Sequence, residues 1–449
     1  MTPDKRLGII KKKYIKRRPP MKPLANDFLT IYHSEPGTKV FTYTPAICIL
    51  DNGRYVFTGD LGGDDVKSLP DYADIKPSPR GAKAYGHIFT SDDKGKTWQR
   101  KAVRSFDHAR PFAVGNTVYI LGHVGDLVIY RSDDYGETWD EGTYLTCGES
   151  WHQSACAYHV EDGVITLVME NEIKKEGEYN SGWDVACLAP VVMRAKLSDD
   201  LRKKESWTFS NRVRFRDVVD VDDLDYFGIP FYTTMAHRNE YADAEKKPVF
   251  THLPGWLETN VVKITDPKHY WYDASGKTFH LFMRTHTAGT GYCAVMKAVV
   301  TEENGKEVIT VQHETVPSGK KVLFLPMPGG QMRFHVLYDD VTKLYWLLST
   351  QSTDSMTRKE LLSPDRFDLP MNERHRLQLS FSRNMVDWCF AGFVCYGDNP
   401  RQSRHYACMA IDGDDLVIVS RSGDKDAASA HNGNMATFHR VEDFRSLVY

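Results

Sequence analysis

Two stretches of this 449-residue chain follow one eight-residue pattern. Ser91-Asp92-Asp93-Lys94-Gly95-Lys96-Thr97-Trp98 and Ser132-Asp133-Asp134-Tyr135-Gly136-Glu137-Thr138-Trp139 both read S-x-D-x-G-x-T-W, 41 residues apart. That spacing is about one four-stranded propeller blade. Each copy follows a short apolar run, at 87–90 and 127–131. The pattern suits a tight β-turn. The Asp carboxylate (Asp93, Asp134) binds backbone N–H groups of its own turn. The Gly (Gly95, Gly136) takes a backbone conformation other residues resist. The Trp (Trp98, Trp139) packs between neighbouring sheets. Fainter echoes run from Ser198 to Trp207 and from Ser382 to Trp388.

A second repeat sets the number of blades. Six times a short strand, a Gly/Asp turn and a second apolar strand follow one another. The first strands are expected at 44–50, 108–114, 153–160, 258–264, 332–338 and 405–411; their partners begin at Tyr55, Thr117, Val164, Thr278, Leu344 and Asp415. Turns such as Asp51-Asn52-Gly53 and Asp412-Gly413-Asp414 join antiparallel neighbours. Six such units predict an all-β, six-bladed β-propeller of four-stranded antiparallel blades. The interval from Gln153 to Glu258 exceeds two blade lengths, which leaves room for a seventh blade. A strand near Met435–His439 is expected to pair with Phe28–Tyr32 and close the ring, removing the edge strands. Residues 1–26 are expected to be a flexible basic leader, and 27–449 a single propeller domain with a long insertion around 175–255.

Composition narrows the partners. Hydrophobic residues make up 41% and charged residues 26%, which excludes a disordered or collagen-like chain. The net charge of −3 argues against nucleic acid as a partner. No run approaches the roughly 20 apolar residues that span a bilayer. The leader carries eight Lys/Arg in twenty residues but no signal-peptide core, so the expected compartment is the cytoplasm, or an exported one if the N-terminus is truncated. The eight cysteines show no zinc-like spacing, and neither a metal nor a cofactor is expected.

Propeller geometry turns the second repeat into a site prediction. The residues just before each inner strand and just after its partner meet around one mouth. That reading collects Tyr43, Asp60, His108, Arg110, His123, Trp151, His152, Glu170, Trp256, Glu258, Arg284, His286, Arg333, His405 and Arg421. Arg can grip a carboxylate in a bidentate fork. Trp151 and Trp256 suit either stacking on a sugar ring or packing between blades. Asp60, Glu170 and Glu258 are candidate catalytic carboxyls, with His152 as a further proton carrier and Tyr43 or Tyr292 as a phenolic partner. Glycoside hydrolysis needs two carboxyl groups, or, in sialidases, a Tyr activated by Glu. The imidazoles would also serve proton abstraction beside a uronate carboxylate, the chemistry of a polysaccharide lyase.

The eight-residue pattern is the Asp-box, and the chain resembles the sialidase (BNR-repeat) superfamily of β-propellers. The resemblance spans roughly residues 40–445. It implies an exo-acting glycoside hydrolase that removes a terminal acidic sugar from a glycan. It also implies that the Asp-box residues Ser91, Asp93, Gly95, Trp98, Ser132, Asp134, Gly136 and Trp139 are structural. Two departures stand out. Sialidases open with Tyr-Arg-Ile-Pro, whose Arg grips the substrate carboxylate, where this chain reads Tyr43-Thr44-Pro45. The segment Lys83–Ile88 also lacks the family's acid/base Asp. Stretches 255–262, 328–334, 345–346, 413–421 and 432–440 resemble a subgroup of sialidase-like proteins that lacks this arginine. For that subgroup the resemblance points to Trp256, Glu258, Asn260, Arg333, Arg421 and His431 in a shared centre. A lyase and a non-catalytic glycan-binding propeller are the alternative readings.

Overall fold

The structure, a computed structural model, describes residues 21–152, 156–178, 185–219, 255–286, 291–353, 355 and 373–449. Residues 1–20 of the leader, 179–184 and 220–254 of the insertion, and 153–155 at the start of the third inner strand lie outside the described residues. Six antiparallel sheets form a β-propeller ring. Blade 1 runs Ala46–Ile49, Tyr55–Gly62, Tyr85–Ser91 and Gln99–Arg104 from the axis outward. Blade 2 runs Asp107–Val114, Thr117–Val124, Asp126–Ser132 and Thr143–Tyr144. In blade 3 a split inner strand, Trp151–His152 and His159–Glu161, precedes Val164–Glu172, Leu188–Lys196 and Thr208–Phe209. Blade 4 begins Trp256–Val262, Thr278–Thr285, Tyr292–Glu303 and Lys306–Thr315. Blade 5 is His335–Asp339, Leu344–Thr350, Arg376–Ser382 and Cys389–Tyr396.

Blade 6 is built from both sides of the sequence. Arg404–Asp412, Asp415–Ser422 and Met435–Val441 are completed by Leu29–His33, with Leu29 opposite Phe438. The two ends of the chain therefore meet in one blade, as the sequence implies, with Leu29–His33 as its outer strand.

The spacing had left room for a seventh blade between the third and fourth units. Among the described residues there is none. Thr259 of blade 4 donates its backbone N–H and hydroxyl to Glu170 of blade 3, at 2.9 and 2.8 Å. Blades 3 and 4 are thus direct neighbours. The extra length of that interval lies in blade 3's outer strands and in 220–254, outside the described residues.

Strands buried on both faces explain the long apolar runs. Asp415–Ser422 is buried at every residue after its first. The core lies between blades: Leu121 and Ile129 of blade 2 pack with Leu167 and Val191 of blade 3. Trp346 and Phe381 of blade 5 pack with Met409 and Ile418 of blade 6. The two S-x-D-x-G-x-T-W turns are the same structure twice. Thr97 and Thr138 donate backbone N–H groups to the Asp93 and Asp134 carboxylates at 2.8 and 2.9 Å. Trp98 and Trp139 each donate Nε1–H to the carbonyl of the turn glycine at 3.0 Å.

All six inner strands start at one face of the ring and turn at the other. Three of them carry a bulge at the start, in blades 2, 4 and 6. Each bulge holds a non-glycine residue in the left-handed region: His108 (φ 49°), Glu258 (φ 60°) and Tyr406 (φ 50°). Such conformations cost free energy and persist only where the surroundings enforce them. Bulges re-aim side chains, and here all three sit at the same mouth.

Candidate functional site

Two of those bulged residues meet. The Tyr406 hydroxyl donates to Glu258 Oε1 at 2.6 Å, although the two lie in blades 6 and 4. Arg284 Nη1 donates to the Tyr406 oxygen at 2.8 Å and to both Glu258 oxygens at 3.3 Å. Burial alone would push the Glu258 carboxyl up. The Arg284 charge, the Tyr406 hydroxyl and Arg333 outweigh it and hold Glu258 below the usual carboxylate range. Burial and the Glu258 charge push the Tyr406 phenol up. The pair is therefore an ionised carboxylate poised to take a proton from a neutral phenol, the arrangement of a nucleophile and its base.

Four guanidinium groups surround the Tyr406 ring. The Cζ atoms of Arg421, Arg374, Arg284 and Arg333 lie 4.1, 5.8, 6.0 and 6.0 Å from its centroid. Arg421 is fixed by donating Nε–H to the Tyr43 carbonyl at 2.6 Å and Nη1–H to the His431 carbonyl at 3.2 Å. Arg374 reaches His405 Nδ1 at 3.2 Å. Burial pushes the Arg374 guanidinium down to about 9, with the neighbouring arginines adding to the effect. So many buried cations around one ionised carboxylate create a strong demand for an incoming anion.

A second acidic pair lies beside this cluster. Asp60 Oδ1 accepts from the Thr44 backbone N–H at 3.0 Å, which ties it to the start of blade 1. Burial pushes Asp60 up to about 7, against the Thr44 N–H and the Arg421 charge. Burial and the Asp60 charge push Asp107 up as well. Three imidazoles follow. His108 Nδ1 and His123 Nε2 are 3.0 Å apart, and the His152 ring centroid is 4.5 Å from that of His108. Burial lowers all three, His152 to about 4, so at neutral pH they are uncharged.

Of the residues expected at the mouth, the structure brings together Glu258, Arg284, Arg333, His405 and Arg421 around Tyr406. Tyr43, Asp60 and His431 stand beside Arg421. Tyr43 sits where Arg421 covers its ring at 4.8 Å, and it makes no bond to a carboxylate. His431 packs near Tyr43, with Nδ1 2.7 Å from Asn432 Oδ1. His286 follows the second strand of blade 4, its backbone N–H donating to Gly255.

Other expected residues are placed differently. Trp256 is fully buried, donates Nε1–H to the Leu188 carbonyl and packs edge-on against Phe215. Trp151 is buried in the core between blades 2 and 3. Both indoles pack between elements of the ring and offer no free face for a sugar. Asn260 is used up on backbone groups, bonding Ala157, Phe334 and Val336 across three inner strands. Arg110 points along the axis, where its Nε and Nη1 donate to the carbonyls of Cys156 and Val168. One Glu170 oxygen is taken up by Thr259.

Tyr406 and Arg374 are absent from the sequence reading. Tyr406 follows His405, which its place at the start of the inner strand selects instead; the bulge between His405 and Cys408 shifts the register, and Tyr406 reaches Glu258. Arg374 precedes the third strand of blade 5, away from any inner-strand end. A Tyr beside a predicted mouth residue was the one available signal.

Among the described residues no group of three or more His, Cys, Asp or Glu side chains could hold a metal ion. No helix among them is long and apolar enough to cross a membrane.

No family model and no curated protein matches the chain. Solved structures do. The Hadza microbial sialidase Hz136 matches with a TM-score of 0.51 at 13% identity, over 94% of this chain and 69% of that one. An alpha-L-arabinanase of Penicillium chrysogenum complexed with arabinobiose matches with a TM-score of 0.48 at 13% identity, over 95% of this chain and 100% of that one. A Trypanosoma rangeli sialidase mutant displaying trans-sialidase activity matches with a TM-score of 0.48 at 11% identity, over 94% and 59%. At these identities the likeness is one of fold: the chain shares its β-propeller fold with the Hz136 sialidase.

Proposed function

We propose that the protein is an exo-acting glycoside hydrolase that releases a terminal acidic sugar, with Tyr406 as nucleophile and Glu258 as its base. The observation that carries this reading is the 2.6 Å contact between the two, under a canopy of guanidinium groups. Arg284, Arg374 and Arg421 would hold the sugar's carboxylate. Arg421 takes the part of the arginine missing before Pro45, because it is anchored on the Tyr43 carbonyl next to Thr44.

The charge pattern favours a phenol over a carboxylate nucleophile. A substrate carboxylate held by Arg284 lies close to the attacking atom, since Arg284 also touches the Tyr406 oxygen. An anionic nucleophile there would be repelled by several kcal/mol at the low effective dielectric of a buried site, roughly 4 kcal/mol at 4 Å. A neutral phenol avoids this and passes its proton to Glu258 as it attacks the anomeric carbon. The bond from that carbon to the leaving oxygen breaks, and the oxygen takes a proton from an acid. Asp60, pushed up to about 7, is the carboxyl suited to that role. Water then attacks the anomeric carbon and gives its proton to Asp60, while Glu258 returns the phenolic proton to Tyr406 as the phenolic glycosyl bond breaks.

The test is mass spectrometry of products from a panel of glycosides of ulosonic and uronic acids, with wild type and Tyr406→Phe. A released acidic monosaccharide carrying one added water, lost in Tyr406→Phe, supports the proposal. Equal turnover by the variant overturns the nucleophile assignment. A product carrying a new double bond and no added water is the lyase outcome, and saturable binding without product is that of a binding module.

A further inference from the structure

Beneath the mouth the axis of the propeller holds a cavity of about 380 Å³. It is lined by the far halves of the inner strands, including Ala46–Ile49, Ala157 and Met409–Ile411. Those residues run toward the hairpin turns at Asp51 and Asp412, so the cavity opens on the face opposite the mouth. Its wall is mainly aliphatic. Its one charged lining residue is Arg110, 2% exposed, whose Nη2 has no hydrogen-bond partner.

Among the described residues nothing ionised neutralises that charge. Among the described residues Arg110 forms no ion pair, and its two bonds go to uncharged carbonyls. The neighbouring Cys156 thiol is pushed up to about 12 by burial and Glu170 to about 8, so both are protonated at neutral pH. His335, also in the wall, accepts from the Met409 N–H at 3.4 Å and is held neutral by burial and by Arg333. Arg333 stands between mouth and cavity. It covers Tyr406 on one side and has the Cys156 and Cys408 thiols as electrostatic neighbours on the other.

We propose that the axial cavity is a binding site for a small monovalent anion such as chloride, held by the free Nη2 of Arg110 and the aliphatic wall of the inner strands. Burying a guanidinium without a counter-charge is strongly unfavourable, and an anion entering from the turn face removes that cost. One unneutralised guanidinium in an apolar wall suits a single, weakly hydrated negative charge rather than a sulfate or phosphate dianion. The site is separate from the mouth and would exist whether or not the glycosidase reading holds.

Two measurements on the full-length protein test it. Thermal unfolding is followed in sodium chloride and in sodium gluconate at matched ionic strength, for wild type and Arg110→Met. The expected result is a rise in Tm that saturates with chloride in wild type and is absent in the variant, whose Tm in gluconate is at least that of wild type. A chloride response that never saturates, or that survives in Arg110→Met, overturns the proposal. Should the variant fail to fold, anomalous diffraction from wild-type crystals grown in bromide decides: a peak within hydrogen-bond reach of Arg110 Nη2 supports the site, and no peak there refutes it.

Discussion

Arg421 of blade 6 donates its Nε–H to the main-chain carbonyl of Tyr43 in blade 1, 2.6 Å away. A side chain from one side of the ring's seam thus occupies the place where the inner strand of the other begins. Among the described residues Arg421 forms no ion pair, and it is 2% exposed. Replacing it by Met should raise KM for an acidic glycoside about 10- to 100-fold, the worth of a hydrogen bond to a charged group. For the same glycoside with its carboxylate converted to an amide, wild type and variant should differ little. Equal KM changes on both substrates would show that Arg421 only shapes the mouth.

Tyr406→Phe keeps the ring under its four guanidinium groups and removes only the oxygen that touches Glu258 and Arg284. We expect kcat to fall by roughly 10³-fold or more while Tm moves little, as for loss of a group acting in a catalytic unit. Tracking kcat and Tm together separates lost chemistry from lost folding.

Under the proposed mechanism the pH dependence of turnover follows from Asp60. Its carboxyl is pushed up to about 7 by burial and must carry a proton to donate one. The rate should therefore hold below that pH and fall as pH rises through it. Because Asp60 and Asp107 sense each other's charge, the fall belongs to the pair. Asp60→Asn should lower the rate and remove this limb of the profile, read from kcat between pH 5 and 9.

Glu170 gives a stability prediction of the same sign. Its folded value is pushed from 4.5 to about 8 by burial, with Thr259 opposing and the Glu258 charge adding to the rise. The folded state thus holds a proton that the unfolded chain has lost. The associated stability is complete below about pH 4.5 and drains away as pH climbs to about 8. The loss is on the order of 4 kcal/mol. Glu170→Gln keeps an acceptor for Thr259 and should unfold at higher denaturant than wild type at pH 8, with the gap closing toward pH 5.

The two matching turns should differ in tolerance. A Cβ at Gly95 would meet the Phe438 ring at 2.4 Å, whereas at Gly136 the nearest atoms are 3.5 Å away. Both glycines have φ of 85°. Gly136→Ala should cost about 1 kcal/mol for the backbone conformation alone. Gly95→Ala should add about 1–3 kcal/mol of overpacking against Phe438 in strand Met435–Val441 of blade 6. Chemical denaturation of the two variants measures the difference.

The repeats made the ring legible, because a blade needs the same turn and the same pair of apolar strands each time. The 41-residue spacing and the six inner hairpins fixed both the architecture and the face where the mouth lies. Glu258, Arg284 and Arg421 followed, since each sits where an inner strand or its partner meets that face. What position at a strand end cannot register is a bulge: one extra residue shifts the register, so that Tyr406 as well as His405 is brought into the cluster. Trp256 erred in the other direction. Its position at the mouth end of a strand looks the same whether the indole faces solvent or the next blade, and only the contact with Leu188 and Phe215 decides.

Closure of the ring through Leu29–His33 has a bearing on how the molecule comes to exist. The Glu258–Tyr406 contact links positions 148 apart, and the blade carrying Tyr406 is finished only when Leu29 pairs with Phe438. Contacts so distant in sequence form late and slowly. A nascent chain emerging from the ribosome holds strand Leu29–His33 unpaired until blade 6 has been made, and exposed edges of that kind invite association with other chains. Tyr406, Glu258 and the seal on the seam then arrive together, so under the proposed mechanism the onset of turnover would double as a report that folding is complete.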